Sequence, residues 1–235
     1  MSRDIDLRNI RTVEDSMKVF AEETRKEYES ANQIEKFSIP IKDNQIDDDF
    51  KKIGSRPQME LDFFDPNSNI LPVIIGLGRN IATGEKNYFV ENILDKYGKS
   101  NINRVNSQDL NENTILDLAS DIHRDDIVIL SSVEFVYDIL LNKGIISVKD
   151  WDANKNCFTI HGIPIYPLAK KYINIGNNVI ILDRQSAIWR YVADKEGNKL
   201  HIEIYPKKTY YDIHVFVLVK PEVNINNVRI FSVSD

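Results

Sequence analysis

From Cys157 onward every strong hydrophobic pattern in this chain is a short strand, and that run follows a single helix, strand, helix unit. The β segments are Cys157 to Ile160, Ile163 to Tyr166, Val179 to Leu182, Ala187 to Val192, Leu200 to Tyr205, Ile213 to Val219 and Val228 to Phe231. Asp194, Glu196, Gly197 and Asn198 supply the residues of a hairpin turn between two of them. Helices first and an antiparallel-rich sheet after define an α+β fold. In the preceding unit, Ile115, Leu118, Ala119 and Ile122 line one helix face. Ile127 to Leu130 then forms a strand apolar enough to be buried on both faces. Ser131, with Glu134 three positions on, predicts a capping box for a helix carrying Val133, Val136, Tyr137, Leu140 and Leu141, which Gly144 ends.

Upstream the pattern divides the chain at about residues 31 and 70, into an N-terminal helix or arm (1–31), an extended loop or hairpin region (32–70) and a main domain (71–235). In the arm, Val13, Met17, Phe20, Ala21, Thr24 and Tyr28 recur at helical spacing, with Thr12 as N-cap and Asp15 completing the box. That face packs on the core or docks on another chain. In the second region Phe37, Ile39 and Ile41, then Met59, Leu61 and Phe63, alternate as strands do. A connection this long suggests an intersubunit contact. The run Asp47, Asp48, Asp49 reads as a solvated turn, because three consecutive carboxylates cannot all face one cation.

Residues Leu71 to Ile75 read as a strand, Gly76 to Gly84 as a glycine turn, and Glu85 to Tyr97 as a helix stopped by Gly98. The dinucleotide fingerprint fails, since Ile81 stands where its third glycine belongs, and no phosphate-loop lysine follows. No cofactor is expected. The 235 residues carry 30 Lys and Arg against 36 Asp and Glu, a net charge of -6 that disfavours general phosphate binding. One cysteine, Cys157, excludes an internal disulfide and fits a reducing compartment. It starts a strand as a small apolar side chain, with no nearby histidine or basic cluster to activate it. The first thirty residues hold no apolar run of signal-peptide length and no apolar run anywhere approaches a membrane span, so an intracellular protein away from membranes is expected.

Candidate chemistry is sparse. His123, His161, His201 and His214 stand too far apart for metal-ligand pairs, and no metal site is expected. Trp189 and Tyr191 could stack on bases but lack a basic stripe, so core or sheet surface is expected. The strongest enzyme reading is a metal-dependent nuclease in which Asp183 closes a buried strand and Glu203 lies on a neighbouring one. Pro206 and Tyr205 stand where such a site wants a strand residue and a lysine. A non-enzymatic oligomeric adaptor is the remaining alternative.

The order of elements over residues 113–235 resembles the tailed-phage major capsid fold, shared by encapsulin nanocompartments. The resemblance rests on Ile115 to Ile122, Ile127 to Ser132, Val133 to Lys143, Thr159 to Ile165, Ile175 to Asp183, Ile213 to Val219 and Asn227 to Phe231. It implies that the family's extended loop corresponds to Phe37 to Phe64 and its spine helix to Glu85 to Tyr97. It also implies a homo-oligomeric icosahedral shell with no active site, located in the cytoplasm or in a virion, with cargo protein or nucleic acid as possible contents. The amphipathic N-terminal helix resembles that of encapsulins, which places Val13, Met17, Phe20 and Tyr28 on a surface that meets cargo or a neighbouring subunit.

Overall fold

The computed structural model describes residues 11–122, 124–169, 171 and 173–234. Helix α1 (Val13–Ala31) is followed by strands β1 (Ile39–Asp43), β2 (Lys51–Ser55) and β3 (Gln58–Glu60), then α2 (Leu71–Tyr97), β4 (Asn103–Asn106) and α3 (Glu112–Ser120). Strands β5 (Ile127–Ser132), β6 (Trp151–Asp152), β7 (Cys157–Ile160), β8 (Ile163–Leu168) and β9 (Asn178–Asp183) come next. The chain ends in β10 (Ala187–Val192), β11 (His201–Pro206), β12 (Tyr210–Val223) and β13 (Val228–Ser234). Two compact units share these elements. The first takes the chain up to Gln33, Ile41–Glu85 and Arg190–Lys220, and the second takes Ile34–Pro40, Lys86–Trp189 and the chain from Pro221 on.

In the first unit α1 begins as its sequence dictates. Thr12 Oγ1 accepts from the Asp15 amide at 3.1 Å, and the Asp15 carboxylate accepts from the Thr12 amide at 3.0 Å, which satisfies donors a helix start leaves open. Every fourth residue, Ser16, Phe20, Thr24 and Tyr28, is buried, a stripe narrower than the apolar face of the sequence. Phe20 meets Phe63 and Phe64 edge to face, at centroid distances of 5.9 and 5.5 Å, and Phe64 meets Tyr211 at 5.0 Å. Each such pair contributes about 0.5–1.5 kcal/mol beyond its buried area.

The largest departure from the sequence reading is α2. Residues 71–97 form one helix of 27 residues, not a strand, a glycine turn and a short helix. Pro72 sits in the first turn, where its missing amide hydrogen costs nothing. Gly78 serves contact instead of turning. A Cβ there would stand 2.8 Å from the Tyr28 amide nitrogen and 2.9 Å from the Thr24 carbonyl oxygen, so only glycine admits the α1 backbone this closely. In the first unit's part of α2, Ile74, Leu77, Ile81 and Ala82 are buried, and in the second unit's part Phe89, Val90 and Ile93. Burial on more than one side removes the one-sided periodicity that announces a surface helix, and its apolar start then reads as a strand.

The sheet of the first unit has the order β1-β10-β12-β11, and β2 and β3 lie antiparallel along β12. The turn after β10 forms, with Asp194 N donating to Asn198 O at 2.8 Å and Gly197 at φ +92°. It is not a hairpin between paired strands, because β12 stands between β10 and β11. The expected hairpin of residues 32–70 is also replaced: β2 and β3 do not pair with each other but follow β12 in succession.

The sheet of the second unit has the order β4-β13-β9-β5-β8-β7-β6. Strand β5 is buried along all six residues, as its unbroken apolar run predicts. It runs parallel to β8 and antiparallel to β9, with Ile129 opposite both Ile165 and Ile181. Ile115, Ala119 and Ile122 of the α3 segment close over this layer with Phe135, Val136 and Phe231. Each of these Ile, Val and Phe side chains stabilises the unit by about 1.5–3 kcal/mol. The cap after β5 is displaced by one position: Ser132 Oγ accepts from Phe135 N at 3.0 Å, whereas Ser131 is fully buried. Residues Phe135–Leu141 adopt the wider π-helical turn rather than an α-helix.

Candidate functional site

Three surfaces carry the functional expectations. The first is α1, whose four docking residues do not share one environment. Phe20 and Tyr28 are interior, at 0% and 1% exposure, because the buried stripe runs through positions 16, 20, 24 and 28. Val13 is 40% exposed and Met17 half-buried. Arg25 holds the helix to the loop after β10, with Nη2 3.0 Å from Asp194 Oδ2 and Nη1 3.3 Å from Glu196 Oε2.

The second is the segment from Asn44 to Glu60, which carries β2 and β3. Little apolar surface holds it to β12, since Ile53 and Met59 are only half-buried and the other residues of both strands are exposed. Polar clamps do more. Arg56 forks onto Asp212, Nε to Oδ1 at 2.9 Å and Nη2 to Oδ2 at 2.6 Å. Those hydrogen bonds hold the Asp212 carboxyl at about 2, below the usual carboxylate range. His214 stands beside it, Nε2 3.4 Å from Asp212 Oδ1 and Nδ1 3.6 Å from Glu203 Oε2. Lys52 Nζ lies 3.6 Å over the Phe216 ring, and Gly54 pairs with Phe216 where a Cβ would stand 2.4 Å from Val215 O. The Asp47 to Asp49 turn holds a lysine: Lys220 Nζ sits 2.9 Å from both Asp47 and Asp49, which raises the lysine pKa and lowers that of Asp47. The Arg56, Lys52 and Lys220 clamps are not legible in one dimension, because each joins residues more than 150 positions apart.

The third is the pair Asp183 and Glu203. Asp183 does close a buried strand, but it is 4% exposed and caps the following turn, accepting from Gln185 N at 3.2 Å and from Ser186 Oγ. Glu203 lies on β11, in the sheet of the first unit, and accepts from the Tyr205 hydroxyl at 3.0 Å. The two strands belong to different sheets and are not neighbours, so the nuclease arrangement is corrected. Among the described residues no three His, Cys, Asp or Glu side chains gather as a metal would need; His123 lies outside them. Cys157 is buried at 0% exposure and burial raises its thiol pKa, as expected for a packing residue. Trp189 is core, packed on Phe89 at 5.5 Å. Phe37, expected in the extended loop, is also core, 5.3 Å from the Phe89 ring. Among the described residues no helix is long and apolar enough to cross a membrane.

No protein-family model and no curated protein matches this chain. Solved structures do. A virus-like particle subunit from Pyrococcus furiosus is similar at TM-score 0.65 and 10% identity, over 90% of this chain and 96% of that one. An encapsulin complex from Synechococcus elongatus is similar at TM-score 0.56 and 11% identity, over 78% of this chain and 73% of that one. The mature capsid of bacteriophage PhiM1 is similar at TM-score 0.55 and 9% identity, over 87% of each chain. The fold is therefore that of phage capsid and encapsulin shell subunits, in agreement with the resemblance drawn from residues 113–235. Helix α2, at 27 residues, is longer than the helix Glu85 to Tyr97 that the sequence reading gave.

Proposed function

We propose that copies of this chain assemble into a closed protein shell, as a structural protein rather than an enzyme. The observation that carries the reading is the extent of the similarity, because 96% of the Pyrococcus furiosus virus-like particle subunit has a counterpart here. Such a shell closes through heterologous contacts, in which one patch of a subunit meets a different patch of the next. The segment from Asn44 to Glu60 is the arm proposed to reach a neighbouring subunit, since polar clamps hold it and little buried apolar surface would be lost on release.

On α1, Val13 and Met17 are the residues proposed to meet cargo or a neighbour, with Phe20 and Tyr28 supporting them from within. A net charge of -6 favours a protein cargo or an empty shell over packaged nucleic acid. The shell would reside in the cytoplasm or in a virion. Negative-stain imaging of the purified protein tests the reading: closed particles of one diameter are expected, and a field of small isolated molecules at every salt concentration would refute it.

A further inference from the structure

The second unit holds an open pocket of about 840 Å³, a volume within the range of small-molecule sites. It lies beside the starts of the parallel strands β5 and β8, with Ala119 and Ser120 of α3 on its wall. Separate segments bring charge to it: the turn at Ile34–Lys36, the loop between α3 and β5, the turn between β6 and β7, and the residue after β9. Some of that charge is already matched. Arg184 Nε lies 2.9 Å from Asp126 Oδ2, and His161 Nε2 lies 2.5 Å from Glu112 Oε1. Lys36, Arg124 and Lys155 are left without a carboxylate partner among the described residues, and the Glu35 and Asp125 side chains without a cation.

A second observation comes from Tyr166, which borders the same pocket. Its side chain is only 6% exposed, yet its hydroxyl has no hydrogen-bond partner among the described residues. A donor on so buried a side chain calls for a reason. The ring is flanked by Phe37, at a centroid distance of 6.2 Å, and by Lys36 Nζ, 5.9 Å from its centroid. Burial raises the Tyr166 pKa, so the hydroxyl keeps its proton and can donate. Lys36 Nζ donates to Lys155 O at 2.7 Å, and Arg184 Nη1 donates to Glu35 O at 3.4 Å, so the turns that bear the free charges are tied in place. The pocket therefore offers two kinds of contact: cations and a hydroxyl that donate, and carboxylates that only accept.

We propose that this pocket binds a phosphorylated sugar. The phosphate accepts charge-assisted hydrogen bonds from Arg124 and Lys155, and a further one from the Tyr166 hydroxyl. The sugar hydroxyls donate to Glu35 and Asp125. Inorganic phosphate satisfies only the first set and brings its charge near two carboxylates that have no cation of their own, so it binds more weakly. A plain sugar satisfies only the second set. The same carboxylates disfavour a long polyanion, whose continuous charge would have to pass them.

Isothermal titration calorimetry of the full chain with ribose 5-phosphate and glucose 6-phosphate tests this, with inorganic phosphate and free ribose as comparisons. At least one sugar phosphate is expected to bind once per subunit, about tenfold or more tighter than either comparison ligand. Arg124→Ala and Lys155→Ala, both at exposed positions, should each weaken that binding about tenfold, and Tyr166→Phe should weaken it severalfold with an unchanged circular dichroism spectrum. Lys18→Ala, on α1 in the other unit, should leave it unchanged. No binding of either sugar phosphate at millimolar concentration overturns the proposal. So does inorganic phosphate binding as tightly as the sugar phosphates, or sugar-phosphate binding that survives both Arg124→Ala and Lys155→Ala. Binding is counted per subunit, so the result stands or falls apart from the assembly reading.

Discussion

A methyl group at Gly78 would press on the α1 backbone, 2.8 Å from the Tyr28 amide nitrogen. Backbone cannot move aside as a flexible side chain can, so Gly78→Ala is expected to destabilise the first unit by about 1–3 kcal/mol, seen as a lower urea midpoint. A second residue-scale prediction concerns Asp212. Its folded pKa of about 2 is depressed, mainly by Arg56, so the carboxylate contributes stability above its ordinary value of about 4 and loses it as pH falls towards about 2. Arg56→Met should remove much of that contribution, and the urea midpoint of the variant should fall less steeply over this acid window than that of the wild type. Equal slopes would show that the fork does not hold Asp212 ionised. At this scale the sequence was legible where chemistry is local. Thr12 and Asp15 could be read as a box because the bonds span three residues, whereas Arg56 and Asp212 meet only after the fold brings them together.

Elements follow the same division. Strand β5 and the seven strands after Cys157 were legible because short apolar runs between polar turns have few alternatives. Helix α2 was not, because its glycines signal a turn in one dimension, whereas in three Gly78 admits a close helix contact. The cap after β5 shows how small the margin can be, since adjacent serines differ only in which one reaches the Phe135 amide. The α1 cap gives an element-scale prediction. Thr12→Ala is expected to cost about 0.5–2 kcal/mol and to lower helical signal in circular dichroism. The segment from Asn44 to Glu60 gives another. Its replacement by a short glycine linker should leave a folded subunit that no longer forms large particles, measured by sedimentation. The cut must stay within that segment, since Ile34, Phe37 and Phe64 on either side are wholly buried.

For the whole molecule, the fold could be anticipated from the order of elements alone, although no single motif in the chain is specific. The candidate surfaces could not be resolved in the same way: of the four α1 residues, two proved interior, because helical spacing names a face without saying how wide a buried stripe will be. The nuclease alternative failed for the same reason. Two carboxylates near strand ends carry no information about which sheet each strand joins. Closure into a shell is a property of many copies, and it makes a demand on the subunit in solution. Size-exclusion chromatography with light scattering tests it most directly: the account predicts a uniform early-eluting species of megadalton mass, and a species that stays at the 27.2 kDa monomer mass across salt and pH would contradict it.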